Sequence, residues 1–326
     1  MTQVLPTELF LKVFALACTD DGRTGCSLLS TSHYIRALCL ETGLDIQTIH
    51  LLTAPSLRKF LSSLNHRKKD ARRLRFLYLD LELQDVTVGE KGTPIREDVE
   101  ELLRSINPSS LRVLTIVLQK QWSTYSDHAR VPSLLPVMFS SLRELTIYDP
   151  ECGPSSYVSL SPAPGLLRLH IACCHALPHS LDQFLRAFSP NLRYLRLSMQ
   201  TPEGACNLVN DLRRYIRPRN AAVPNDSRES VEEIDTDVFP PSLHCIDISV
   251  LPLIRSLWES GARRFGLDQF VSSIRDLSYH SELSETPRKL LLRSSPRMLS
   301  QAEAIRFRET LRTEILHEFN SIVGAS

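Results

Sequence analysis

A six-residue hydrophobic pattern recurs along the chain: leucine, two variable positions, leucine, one variable position, and a final leucine or isoleucine. The copies begin at Leu74, Leu111, Leu142, Leu166, Leu192 and Leu243. The alternation of apolar and variable residues at the end of each copy is typical of a β-strand. Serine or proline stands just before nearly every copy, and both residues favour turns. The pattern therefore predicts six short strands, each entered from a turn.

The segments between the copies carry a helical period instead. Thr93 and Pro94 predict a helix start before a stripe of apolar residues from Ile95 to Ile106. Ser180 and Gln183 form a capping box before a second stripe, and Leu208 to Ile216 form a third. Strands that alternate with helices at roughly 25 to 40 residues predict an α/β fold with parallel strands, typical of an irregular leucine-rich repeat solenoid.

The N-terminal segment predicts two or three short helices. Pro6 and Glu8 suit the first turn of a helix that should end near Ala17. A turn-rich break over 20–25 precedes a second set of helical apolar positions, over 26–39. The apolar run 9–18 superficially resembles a lipoprotein-type signal peptide. Glu8 before this run and Lys12 inside it favour an amphipathic helix instead.

The C-terminal segment, from residue 251, loses the strand pattern. Ser300 and Glu303 form a capping box before a helical stripe that extends from Ile305 to Ile322. We expect this helix to cap the open end of the repeat array, with a partner-binding or membrane-surface helix as the alternative. Within the array, the acidic stretch 220–237 predicts a mobile loop. Three regions result: a helical module (1–50), a repeat array (51–250) and a helical cap (251–326).

Composition narrows the possible partners. The 38 basic and 37 acidic residues nearly cancel, so no overall field attracts nucleic acid or an anionic membrane, and we expect neither as a partner. No run of about eighteen apolar residues predicts a transmembrane helix. The eight cysteines are scattered, mostly in apolar stretches, which favours a reducing compartment, cytoplasmic or nuclear.

Candidate chemistry is sparse. No nucleotide-binding or nucleophile motif is present, so we expect no catalytic residues, no cofactor and no enzyme activity. Cys173, Cys174, His175 and His179 form a poor tetrahedral clamp, and we expect no metal site. The basic run 66–75 has three interpretations: a nuclear-import signal, an anion-binding patch, or the solvated end of a helix.

The helical module resembles a known motif. Residues 5–14, Leu-Pro-Thr-Glu-Leu-Phe-Leu-Lys-Val-Phe, and 26–36, Cys-Ser-Leu-Leu-Ser-Thr-Ser-His-Tyr-Ile-Arg, resemble the F-box-like motif in the variant of mushroom-forming fungi. The resemblance covers roughly residues 3–50. Thr31 replaces the usual valine, and Tyr34 stands for the common tryptophan.

The resemblance implies an adaptor of a cullin-RING ubiquitin ligase. Its module would bind a Skp-family linker, and through it the cullin, with contacts from Leu5, Pro6, Leu9, Phe14 and Tyr34. The repeats would bind an unknown protein substrate. The alternative function is a leucine-rich interaction scaffold with a degenerate F-box. A structural alternative is that these residues only cap the array.

The predicted substrate face lies opposite the core side of the strands. The fourth and sixth positions of each copy should point into the core, so the third, fifth and seventh project from the other face. This assigns substrate binding to five aromatic and arginine side chains: Tyr78, Tyr148, Arg168, Tyr194 and Arg196. The alternative is that a C-terminal segment folds back and covers this face.

Overall fold

The computed structural model describes residues 6–20, 22–83, 95–120, 135–148, 160–174, 181–199, 205–216, 239–250, 253–254, 261–283, 288–293, 298–299 and 301–325. Its contacts divide the chain into two compact units. Unit 1 comprises Met1–Ile147, Ser159–Ser161 and Leu311–Ser326; unit 2 comprises Tyr148–Val158 and Pro162–Thr310. The predicted mobile loop, 220–237, lies outside the described residues.

Unit 1 combines helices with neighbouring strands in chain order. Its helices are α1 (Thr7–Ala17), α2 (Arg23–Leu29), α3 (His33–Thr42), α4 (Ala54–Asn65) and α5 (Ile95–Ser105). Its strands are β1 (Thr48–Leu51), β2 (Phe76–Leu83), β3 (Val113–Lys120) and β4 (Glu144–Tyr148), whose last residue the contacts assign to unit 2. They lie in the order β1-β2-β3-β4, and β2 runs parallel to both β1 and β3.

Three helices form in the N-terminal segment: α1 ends at Ala17 as predicted, whereas α2 begins at Arg23, inside the predicted break over 20–25. Polar groups cap the starts of α2 and α3. The Asp20 carboxylate accepts the N–H groups of Gly22 and Thr24 at the start of α2. The Ser32 side chain caps α3. Gly43 ends α3 in the left-handed region with φ 72°, and a Cβ there would lie 2.0 Å from the carbonyl oxygen of Ala71. Only glycine fits this close approach.

A buried ion pair joins the helical module to the strands. Asp45 precedes β1. Its two carboxylate oxygens accept hydrogen bonds from Nη1 and Nη2 of Arg67, with N–O distances of 2.8 and 2.5 Å. Both side chains are buried. Removing one partner of such a pair leaves an uncompensated buried charge and typically costs about 3 to 5 kcal/mol. The pair thus fixes where the module meets the sheet.

Unit 2 repeats the architecture. It contains α6 (Leu181–Phe188), α7 (Ala205–Ile216), α8 (Gly261–Leu283) and the first part of α9 (Gln301–Gly324). Its strands are β5 (Arg168–Cys174), β6 (Tyr194–Met199), β7 (Cys245–Val250), β8 (Leu253–Ile254), β9 (Lys289–Leu292) and β10 (Met298–Leu299). Strands β5, β6, β7 and β9 are neighbours in that order and run parallel, and the short strands β8 and β10 pair separately.

The α/β class and all six predicted strands are confirmed. Each of β2 to β7 coincides with one copy of the pattern. The fourth and sixth positions of every copy are buried: Leu77, Leu79, Leu114, Ile116, Leu145, Ile147, Leu169, Ile171, Leu195, Leu197, Ile246 and Ile248. The predicted helical stripes also form α5, α6, α7 and α9. Residues 93–94, 180 and 300, which carry predicted caps, lie outside the described residues.

The structure places the second half of the C-terminal helix in unit 1. From Leu311 onward, α9 belongs to unit 1 rather than to the end of the strand array in unit 2. Leu311, Ile315, Phe319 and Val323 are its buried residues. They recur every four positions and so form one apolar face of the helix. Phe319 contacts β1 and β2. This half thus packs on β1, the first strand in the sheet order, and on its neighbour β2.

Candidate recognition face of the strands

The parallel register places the predicted recognition residues in rows across the strands. In unit 1, His50 of β1 is opposite Tyr78 of β2, which is opposite Thr115 of β3. In unit 2, His170 of β5, Arg196 of β6 and Asp247 of β7 form the equivalent row. Neighbouring strands lie about 4.8 Å apart, so side chains of one row can act together.

In unit 1, α9 covers the aromatic part of the row. The Phe319 ring lies 5.2 Å from that of His50 and 5.4 Å from that of Tyr78. These centroid separations are typical of tilted and edge-to-face aromatic pairs. Tyr78 is fully buried. Burial, and next the neighbouring Asp80, raise the pKa of its phenol, so the hydroxyl stays protonated.

An ion pair fixes the same helix. Nε of Arg312 contacts Oδ2 of Asp80, which also accepts the Tyr78 hydroxyl at 3.3 Å. Asp80 is 2% exposed, whereas Arg312 is 43% exposed. The buried carboxylate of Asp80 therefore pairs with a guanidinium of α9 that reaches solvent, and the pair ties α9 to β2.

The prediction of an open face is therefore wrong at Tyr78 and Tyr148. Tyr78 is inaccessible and Tyr148 is 8% exposed. At Tyr78 the alternative holds, because a C-terminal segment folds back onto the strands. Helical periodicity predicted that segment as a helix, but it carries no information on which surface the helix packs against.

In unit 2, the row centres on a buried carboxylate. Oδ2 of Asp247 accepts the hydroxyl of Tyr194 at 2.6 Å and pairs with Nε of Arg293 at 2.6 Å. Asp247 has no exposed surface, and its Oδ1 has no hydrogen-bond partner. Burial, followed by the hydrogen bond to Asp247, raises the pKa of Tyr194. Tyr194 thus serves as a hydrogen-bond donor rather than as an acid.

His170 lies in the same row as Asp247. Its Nε2 is 3.0 Å from the Ser198 hydroxyl, and its Nδ1 has no hydrogen-bond partner. Burial and then the nearby Arg196 lower the pKa of the imidazole to about 3, so the ring is neutral at pH 7. His170 and Asp247, each with a buried polar atom that has no hydrogen-bond partner, therefore lie on either side of Arg196 in one row.

The remaining predicted substrate residues are accessible to different degrees. Arg168 is exposed, whereas Tyr194 and Arg196 are half-buried. Arg168 and Tyr194 are register partners on β5 and β6. The structure thus brings together Arg168, Tyr194 and Arg196, three of the predicted residues, on the adjacent strands β5 and β6. Asp247 and Arg293, which complete the polar cluster, were not predicted; the fifth position of the Leu243 copy was the signal for Asp247.

The predicted linker-binding residues divide between surface and core. Pro6, Leu9 and Tyr34 are exposed, and the Tyr34 hydroxyl lies 3.0 Å from Oγ1 of Thr7. Phe14 is buried beside Phe10, so the prediction that it contacts a linker is wrong. Leu5 lies outside the described residues. Leu16, in the run that was predicted as an amphipathic helix, is 78% exposed.

The basic run is largely structural. Arg67 forms the buried pair with Asp45, and Arg72 donates to the carbonyl oxygens of Asn65, Arg67 and Ser105. Neither guanidinium remains available for an import receptor. Lys68 and Lys69 are exposed. The interpretation of the run as a solvated helix end therefore applies to Lys68 and Lys69 but not to Arg67 or Arg72.

The described residues offer few side chains suited to nucleophilic catalysis or metal binding. Burial raises the pKa of the Cys18 thiol to about 12 and that of Cys39 to about 11, so neither forms a thiolate at neutral pH. Among the described residues, no group of three His, Cys, Asp or Glu side chains could hold a metal ion. His175 and His179, of the weak metal candidate, lie outside them.

Within the described residues, no helix has both the length and the apolar character needed to cross a membrane. No protein-family model matches the chain, and no curated protein matches it significantly.

Proposed function

We propose that the chain is a non-catalytic adaptor of a cullin-RING ubiquitin ligase. In this proposal, α1 to α3 form an F-box-like module that binds a Skp-family linker. The strand array, in the manner of an irregular leucine-rich repeat solenoid, binds a protein substrate. The proposal rests on the sequence resemblance together with one observation on α1.

That observation is an apolar surface on a short helix. Leu9, Val13 and Leu16 of α1 are 43%, 57% and 78% exposed. A monomeric protein rarely leaves adjacent large apolar side chains in water unless a partner covers them. Val13 and Leu16 add to the linker contacts that the motif suggested. Phe14 instead packs α1 against the core of the chain.

A comparison of free energies indicates that linker binding needs this surface and also needs further contacts. Three large apolar side chains contribute about 4.5 to 9 kcal/mol when fully buried. Association costs about 4 to 15 kcal/mol. Additional contacts are needed, and Pro6 and Tyr34 are exposed on the same module. Losing any one of the α1 side chains should therefore weaken linker binding strongly.

The test uses the full chain with Leu9, Val13 and Leu16 all changed to alanine. We expect pull-down of a Skp-family linker to be lost, while circular dichroism and the melting temperature stay close to those of the parent chain. The reason is that exposed substitutions usually change stability by only about 0.5 kcal/mol. Alanine at Glu8 and Lys12, two exposed polar residues of the same helix, is the matched control and should retain the linker.

Two results count against the proposal. Linker binding that survives the triple variant removes α1 as the docking element. An absence of linker binding by the parent chain, with other partners retained, favours the alternative function, a leucine-rich scaffold with a degenerate F-box.

A further inference from the structure

The strands of unit 1 present two faces of different composition. Leucine and isoleucine occupy the central core positions, all of them fully buried: Leu77, Leu79, Leu114 and Ile116. The opposite face carries polar side chains. His50, Tyr78 and Thr115 are register neighbours on β1, β2 and β3, and Asp80 lies two residues beyond Tyr78 on the same side of β2. Buried polar groups cost free energy unless they are satisfied, so this face needs an occupant with matching polar groups.

The second half of α9 meets that need with one side of a helix. Its buried apolar residues recur every four positions: Leu311, Ile315, Phe319 and Val323. Arg312, which contacts the Asp80 carboxylate, precedes Phe319 by seven residues, or about two helical turns. The arginine and the aromatic ring therefore project from the same side, one toward Asp80 and the other toward His50 and Tyr78.

Side chains alone make this contact. Within the described part of the chain, no backbone hydrogen bond joins 311–325 to a strand; the N–H of Ala325 donates to Ile322 of its own helix. The strands, in contrast, are joined by continuous parallel pairing from β1 to β3. The helix can therefore leave the face while every backbone bond of the sheet stays in place.

The ion pair adds selectivity to the contact. Apolar side chains in place of a buried ion pair often stabilise a protein equally well or better. The Asp80 carboxylate is 2% exposed, so a helix without a cation at the matching position would leave a buried charge uncompensated. Only a helix that combines an apolar side with a correctly placed cation satisfies this face.

We propose that this surface, named here the helix-docking face and defined by His50, Tyr78 and Asp80, binds an amphipathic helix of a partner protein. The partner helix presents apolar residues at four-residue spacing and an arginine two turns before an aromatic residue, as α9 does. The second half of α9 is the resident occupant, and the partner displaces it. The proposal rests on the substrate-receptor half of the proposed function and does not involve α1.

The test is hydrogen exchange of the full parent chain, read by mass spectrometry with and without a probe peptide. The probe is a designed helix of alanine, glutamate and lysine that keeps five residues at their α9 spacing: Leu311, Arg312, Ile315, Phe319 and Val323. In the free chain, we expect 311–323 to exchange at least about tenfold faster than β2, because the helix opens without unfolding of the sheet. Saturating probe should accelerate this exchange further. A scrambled peptide of the same composition should leave it unchanged.

Fluorescence anisotropy with a labelled probe identifies the contacts. The resident helix competes at high effective concentration because it belongs to the same chain, so the probe should bind Phe319→Ala at least about tenfold more tightly than the parent. Glutamine in place of the probe's arginine should lower that affinity about tenfold. The same change should have little effect when the chain also carries Asp80→Asn. His317→Ala, on the exposed side of α9, is the control and should bind the probe as the parent does.

Three results overturn the proposal. Equal exchange of 311–323 and β2 would show that the helix opens only when the whole unit unfolds. Probe binding that leaves the exchange of 311–323 unchanged would place the probe elsewhere. Equal binding of the scrambled peptide would exclude recognition of the helical pattern. The exchange measurement needs no variant, so it decides the question whether or not Phe319→Ala folds.

Linker pull-down separates this proposal from the rest of the function. The variants change β2 and α9 and leave α1 intact, so they should keep the linker. Failure of the probe experiments with linker binding retained overturns only the helix-docking face. An absence of linker binding by the parent chain, with the probe still displacing α9, overturns the ligase role instead.

Discussion

At the scale of single residues, His170 has a measurable dependence on pH. Burial holds its pKa near 3 in the folded protein, whereas an unfolded histidine titrates near 6.5. Between these values the unfolded chain binds the extra proton, so stability is complete above about pH 6.5 and decreases as the pH falls toward about 3. The contribution approaches about 1.4 kcal/mol per pH unit. We therefore expect unit 2 to lose stability at mildly acidic pH.

Urea unfolding at pH 7 and at pH 5 measures this dependence. Glutamine at position 170 cannot be protonated, so His170→Gln should reduce the difference in unfolding free energy between the two pH values. The control is His244→Gln, at an exposed histidine of the same unit, which should leave that difference unchanged. An unaltered difference in the His170 variant would show that the imidazole is hydrated rather than enclosed.

At the scale of elements, the second half of α9 contributes a buried apolar face to unit 1. Phe319→Ala removes a ring that contacts His50 and Tyr78. Such truncations in a core cost about 3 to 5 kcal/mol. His317→Ala, on the exposed side of the same helix, should change stability by only about 0.5 kcal/mol. Thermal and urea unfolding compare the two variants. Equal, small effects would contradict the docking of α9 on β1 and β2.

The same scale shows what the sequence can and cannot predict. Six strands and their core positions were predictable because leucine or isoleucine alternates on one side of each strand. Strands β1 and β9 were not found, because Ile46 and Pro287 stand where the other copies have leucine. Both strands nevertheless keep the later apolar pair, Ile49 with Leu51 and Leu290 with Leu292. A pattern that tolerates substitution at its first position would have included them.

The candidate site was less predictable than the strands. Alternation correctly placed Tyr78, Tyr194 and Arg196 away from the core positions of their strands. The contact of Tyr194 with Asp247, 53 residues later, depends on the register of β6 and β7. The covering of Tyr78 by Phe319 depends on where a distant helix docks. Neither follows from a local period, because both are set by tertiary packing.

At the scale of the whole molecule, the near balance of 38 basic and 37 acidic residues means that local patches must determine binding. Long-range attraction is weak for such a chain. The apolar surface of α1 is therefore expected to act by local contact, so that linker binding is sensitive to changes in Leu9, Val13 and Leu16 and not to exposed charges nearby.

This local dependence is testable by a comparison of co-purified proteins. Tagged parent chain, the α1 triple variant and the Glu8→Ala, Lys12→Ala control variant are recovered from native cells, and bound proteins are quantified by mass spectrometry. We expect the α1 triple variant to lose the linker and the cullin while it keeps proteins that bind elsewhere on the chain. The control variant should keep all of them, because it removes two exposed charges and leaves the apolar side chains of α1 in place. Loss of the linker in both variants would show that the charges of α1 determine the binding, and the apolar surface could then not be the docking site.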